Sequence, residues 1–199
     1  MGEALCWLRP TTNGGRERRT GSYASKRADS PSGETGHEHG GSAVRARGPV
    51  TLFAAWAIHD LEELIALPVT TSRLAEEPGA DWLRISARQS AVAIGLMGAV
   101  VATACVRGAV TNGRSRFYRR TLAGLDLHVW SHVAASVVLR RYTAGVLTAV
   151  PFMLPGARFA ERELAATGHA LSHAERAVGA PMMVVAALAC HGVARAWVQ

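Results

Sequence analysis

Apolar and polar positions divide the chain into two unequal parts. Up to Gly48 no long apolar run occurs, and Gly, Ser and Arg dominate: TTNGGRERRTGSYASKRADSPSGETGHEHGGSAVRARGP. Such a composition buries too little apolar surface to offset chain entropy, which predicts a disordered basic tail over 1–48. After Pro49 five apolar segments follow: roughly Val50–Val69, Ala87–Val106, Leu122–Leu139, Tyr142–Phe159 and Gly179–Val198. Each is close to the roughly 20 residues that a helix needs to cross a bilayer core. The second, SAVAIGLMGAVVATACV, contains no charge at all, and the fifth stays nearly as clean until Arg195. A soluble Ala-rich helical bundle would show polar stripes at helical spacing, and the second segment has none. The abundant small residues permit close helix packing in lipid. The pattern predicts an all-α fold: a multi-pass membrane helical bundle of about five spans over 49–199, behind the tail.

Charge placement refines this picture. The chain has 199 residues, a length that suits one domain with a tail, and a formal net charge of +7. Nearly all of the positive charge is arginine, and Lys26 is the single lysine. Between the second and third segments lie Arg107, Arg114, Arg116, Arg119 and Arg120 with no acidic residue. The link between the first and second carries Arg73 and Arg84 against Glu76, Glu77 and Asp81. By the positive-inside rule the arginine-rich link is cytoplasmic and the acidic one external. The basic tail, and the link carrying Arg158, Arg162 and Arg176, then also fall inside; Arg140 and Arg141, at a tight external turn, are the exception. The expected location is therefore the cell membrane, with a cytoplasmic tail and membrane lipid as partner. The basic balance reads as a topology signal, and no nucleic-acid partner is expected. Cys6, Cys105 and Cys190 lie far apart without CxxC spacing, which excludes a disulfide framework and a zinc ribbon and leaves apolar packing for Cys105 and Cys190.

One stretch of the first segment resists the apolar reading. FAAWAIHDLEELIALP places His59, Asp60, Glu62 and Glu63 inside a greasy helix. Three carboxylates at membrane depth cost about 2.5–3.5 kcal/mol each. Strong apolar residues return only about 0.3–0.6 kcal/mol apiece, so protonation, pairing, a metal or a wet cavity must compensate. At about 100° per residue, Glu63 lies about 40° from His59 and Glu62 about 60° to the other side, so the three share one face. Asp60 points further around and is the weakest member. A His and a Glu at i and i+4 can both reach one divalent ion, the spacing logic of zinc-binding helices. The third segment, GLDLHVWSHVAASVVLRRYTAG, supplies His128 and His132, again at i and i+4, with Asp126 nearly opposite. Together these groups offer enough nitrogen and oxygen donors for zinc, iron or manganese. His191 in the fifth segment is a further candidate. Interhelical hydrogen bonding, a structural buried network and proton transfer are the alternatives that the same residues leave open.

The chain resembles the small HXXEE family of integral membrane proteins. HDLEE matches the motif that names the family, early in the first hydrophobic segment. HVWSHVAASVVLRRYTAGVLTAVPFMLP follows a second family outline, in which an Asn and a His four apart precede an Arg-Tyr-x-Pro-Gly turn and an apolar run ending in proline. His132, Arg141, Tyr142, Gly145 and Pro155 match it; His128 stands where asparagine is expected and Ala144 where proline is expected. The resemblance spans about Thr51 to Pro155 and implies a multi-pass membrane protein, without supplying a reaction.

The residues themselves point to an intramembrane enzyme acting on a lipophilic or small-molecule substrate. In one version a divalent metal is held by His59, Glu63, His128 and His132, with Glu62 as base. In another, Glu62 and Glu63 share a proton and work as catalytic acid and base. A proton- or ion-coupled carrier, or a structural membrane subunit without catalysis, would use the same residues differently.

Overall fold

A computed structural model describes residues 38–198 of the chain. Most of the expected tail, 1–37, lies outside the described residues, and so does Cys6. The remainder of that tail is helical: α1 spans Glu38–Leu74 and enters the apolar region without a break. Extending a formed helix costs far less than nucleating one, and this carries α1 upstream of Pro49.

The described residues form an all-helical structure, as the pattern of apolar segments predicts. After α1 come a short 3₁₀ turn at Asp81–Leu83, α2 (Ala87–Val110), α3 (Arg116–Leu139), a single turn α4 (Val146–Thr148), a π-helical turn at Ala149–Met153, α5 (Leu154–Ala166) and α6 (His173–Val198). Three of these helices, α2, α3 and α6, are long and apolar enough to cross a membrane. α1 has the length, but its carboxylates interrupt the apolar stretch.

Local chemistry sets the boundaries. Ser86 caps α2 by accepting from the Gln89 amide, and Ser115 caps α3 by accepting from Tyr118. At α6 the Ser172 hydroxyl accepts from the Glu175 amide while the Glu175 carboxylate accepts from the Ser172 amide, a reciprocal capping box. α3 ends on Arg140, whose φ of 50° breaks the helical path.

The segment expected as a fourth continuous span, Tyr142–Phe159, is broken into pieces. Gly145, at φ +88°, starts α4; the backbone then widens into the π turn around Pro151, and Pro155 opens α5. Pro151 has no N–H for the helical ladder and its ring displaces the carbonyl one turn back, so a regular α-helix cannot continue there.

α1 runs antiparallel to α5: Gly48 lies beside Ala160 and Glu163, and Gly156 beside Ala55. α3 and α6 run parallel and cross at Gly124 and Gly179, where a Cβ on either glycine would meet backbone of the other helix. The core between them contains Leu52, Trp56, Val101, Tyr118, Leu122 and Met153. Cys105 and Cys190 are buried, free and packed among apolar side chains, as expected.

Candidate functional site

The site forms where the middle of α1 meets the second half of α3. Both helices present an i, i+4 pair to the other, and the turn from Thr143 to Thr148 closes the third side. His59, Glu63, His128 and His132 each bring one ligand atom into a group whose members all lie within 4.8 Å of one another. His132 Nε2 is 2.8 Å from His128 Nε2 and 3.5 Å from Glu63 Oε1. Ligands about 2.0–2.2 Å from a tetrahedral ion stand about 3.3–3.6 Å apart, so the His132–Glu63 separation already suits a metal, whereas the two α3 imidazoles stand at hydrogen-bond distance and would move apart by about half an ångström to share an ion. The His59 ring packs edge-on against both of the other imidazoles.

A second layer of hydrogen bonds fixes which nitrogen of His59 and His132 turns toward the group. His132 Nδ1–H donates to the Ala144 carbonyl at 2.8 Å, which leaves its Nε2 lone pair facing the group. His59 Nδ1 lies 3.1 Å from the Thr148 hydroxyl, which itself donates to Glu62 Oε2 at 2.6 Å. With that proton committed to the carboxylate, the hydroxyl oxygen accepts from His59 Nδ1–H. His59 Nε2 is then an acceptor, buried and without a hydrogen-bond partner among the described residues. A buried polar atom left this way is costly unless something absent from the protein chain satisfies it. Such outer partners, holding tautomer and ring orientation, are the usual support of histidine metal ligands.

Glu62 sits elsewhere. Its carboxylate accepts from Tyr142 Oη, from the amides of Gly145, Leu147 and Thr148, and from the Thr148 hydroxyl. These amides belong to the opening turn of α4 and the residue before it, where helical N–H groups have no partner of their own. Glu62 thus ties the turn to α1, and through Thr148 it orients His59. Helical spacing puts Glu62 on the shared face but gives no sign of this binding partner, because the turn lies more than eighty residues away.

Several other residues find their places. Gly145 packs against both imidazoles: a Cβ there would lie 2.6 Å from His132 Cε1 and 2.8 Å from His59 Cε1. The Ala144 amide donates to the Thr70 hydroxyl at 3.2 Å, a bond that proline at this position could not make. Asp126 is apart from the group, as its angle on α3 predicts, and pairs with Arg158 of α5 at 3.1 Å. Asp60 and His191 are not among the four converging donors. Both line an adjoining cavity of about 370 Å³ bounded by α1, α2, α3 and α6, whose wall also includes Glu63 and His128. Thr148 and the Ala144 carbonyl carry no motif signal; only the Tyr-x-x-Gly part of the family outline points toward that turn.

Neither a curated protein nor a solved structure matches the chain. Residues 50–160, more than half of the sequence, match the family described as protein of unknown function with HXXEE motif. That stretch contains the motif of α1, the histidine pair of α3 and the turn that binds Glu62, and the chain belongs to this HXXEE-motif family.

Proposed function

We propose that the protein is a multi-pass membrane enzyme whose polar core binds a divalent metal through His59, Glu63, His128 and His132 and acts on a lipophilic substrate. The observation that carries this reading is the convergence of three imidazole nitrogens and one carboxylate, with His59 and His132 held in the tautomer that a metal needs. Two of these atoms, His132 Nε2 and His128 Nε2, lie within hydrogen-bond distance of each other, whereas His59 Nε2 is buried without a partner among the described residues, which a purely structural hydrogen-bond network would not leave.

Imidazole and carboxylate donors in this number suit zinc or iron. A bound ion supplies Lewis acidity: it polarises a substrate oxygen or lowers the pKa of a coordinated water. The protein's part is to hold the four donors, to keep bulk water out, and to place a base nearby. Glu62, spent on five donors, acts here as a positioning residue; Asp60, which lines the cavity beside Glu63 and His128, is the carboxylate better placed for proton transfer.

Membrane insertion fits the same account. Gly48 at the start of the core part of α1, Gly113 after α2 and Leu164 near the end of α5 come together at one end of the bundle. That end therefore collects Arg114, Arg116, Arg119 and Arg176. The arrangement supports a cytoplasmic location for it by the positive-inside rule. The polar face of α1 is tolerated because α3 and α4 meet it with donors and acceptors of their own.

Cobalt substitution tests the metal centre directly. Protein stripped with chelator and titrated with Co²⁺ should develop visible d–d absorption that saturates near one ion per chain, and His59→Ala or His132→Ala should abolish it. A flat titration with folded protein would overturn the proposal.

A further inference from the structure

The cavity beside the four donors has a composition that specifies its occupant. Its volume of about 370 Å³ is at the small end of the roughly 300–1,000 Å³ typical of ligand pockets. Most of the wall is apolar: Ile94 and Met97 from α2, Leu125 from α3, and Met183 and Ala187 from α6. Polar groups are few: Asp60, Glu63, His128, Ser131 and His191, with no arginine or lysine among the lining residues. Three lining residues, Leu127 of α3 and Val184 and Leu188 of α6, are 41%, 58% and 67% exposed. The cavity mouth therefore lies between two helices that are long and apolar enough to cross a membrane, and it faces sideways.

We infer that this cavity takes the hydrocarbon chain of a single-chain lipid with an uncharged hydroxyl head, a long-chain alcohol, entering from the bilayer between α3 and α6. The inference rests on the metal-centre reading for the charge of the head. A divalent ion there is already held by the Glu63 carboxylate, and no basic side chain lines the cavity to receive an anionic head. A carboxylate or phosphate there would be a buried charge without a partner. A hydroxyl both donates and accepts, which suits a site made of carboxylates and imidazoles. His191 adds an independent mark: its Nδ1 is buried with no hydrogen-bond partner among the described residues, and the residue lines this cavity.

Trp56 reports on occupancy, because it lines the cavity and is only 6% exposed, whereas Trp130 on α3 is 49% exposed. In a variant that keeps Trp56 and replaces the other tryptophans by Phe, a long-chain alcohol brominated along its chain should quench fluorescence saturably. The matching brominated fatty acid should bind about tenfold more weakly or worse, the equivalent of about 1.4 kcal/mol for an unpaired head. Ala187→Phe, or Ile94→Phe from the facing wall, should remove the saturable quenching while leaving metal content unchanged. His132→Gln should remove the metal and leave the quenching, because His132 does not line the cavity. The two readings therefore fail separately. Quenching of a Trp130-only variant without quenching of Trp56, equal quenching after the cavity is filled, or tighter binding of the fatty acid would each overturn the inference.

Discussion

Gly145 shows how closely this site is fitted at the scale of single residues. Its φ of +88° suits glycine, and its missing side chain is where the rings of His59 and His132 rest. Gly145→Ala should therefore lower stability by about 1–3 kcal/mol, from overpacking together with the left-handed backbone, and should weaken metal binding as the rings are displaced. Thermal melts and a metal titration on one preparation measure both effects. Thr148 separates positioning from folding. Thr148→Val keeps the shape but removes the hydroxyl between Glu62 and His59, and metal affinity should fall about 10–100-fold while the protein stays folded. A variant with native metal affinity would show that the Glu62–Thr148–His59 chain does not orient the ring. The donors themselves are legible in the sequence, since i, i+4 spacing on two helices fixes which side chains share a face. The hydrogen-bonding partners of Glu62 are not. They are mostly backbone amides, which nearly every residue carries, so no side-chain pattern announces them.

At the scale of helices, the α3–α6 crossing sets the floor of the cavity and the alignment of His128. A Cβ on Gly179 would lie 2.5 Å from the Arg120 carbonyl, and one on Gly124 would lie 2.5 Å from the Gly179 carbonyl. Backbone cannot yield as a flexible side chain can, so Gly179→Ala should force the helices apart and lower the melting temperature. Gly192, later on α6, has nothing within 4 Å of an added Cβ. Gly192→Ala should be neutral or stabilising by up to about 1 kcal/mol, because alanine is the better helix former. Equal effects at both positions would remove the crossing as the organising contact. The apolar runs of α2, α3 and α6 are plain in the sequence, because their lengths match a helix that crosses lipid. The fourth run misleads on continuity. Pro151 and Pro155 sit in an apolar stretch that hydropathy counts as uniform, yet each removes a ladder hydrogen bond, and the chain answers with the π turn at Ala149–Met153. The amides that bind Glu62 are free for a different reason: they lie at the opening of α4, just after the turn, where helical N–H groups have no carbonyl of their own.

For the whole molecule, burial of the acidic face of α1 and the orientation of the bundle are linked. The arginines after α2 and around the start of α6 lie at the same end as the start of the α1 core, and ion pairs tie that end together: Arg119 with Glu175 at 2.7 Å, and Arg176 with Glu161. If that end is cytoplasmic, then in a Cys6→Ala background, where Cys105 and Cys190 are buried, a cysteine introduced at Glu77 should react with a membrane-impermeant maleimide in intact cells and one at Ala166 should not. The reverse labelling would invert the proposed topology without touching the site. The central claim stands on the metal, and elemental analysis of the purified, detergent-solubilised full chain tests it most directly. The account predicts about one zinc or iron per chain in the wild type, little in His132→Gln, and a lowered melting temperature when chelator removes the ion. Folded wild-type protein that carries no transition metal, binds none on addition and melts unchanged in chelator would contradict it.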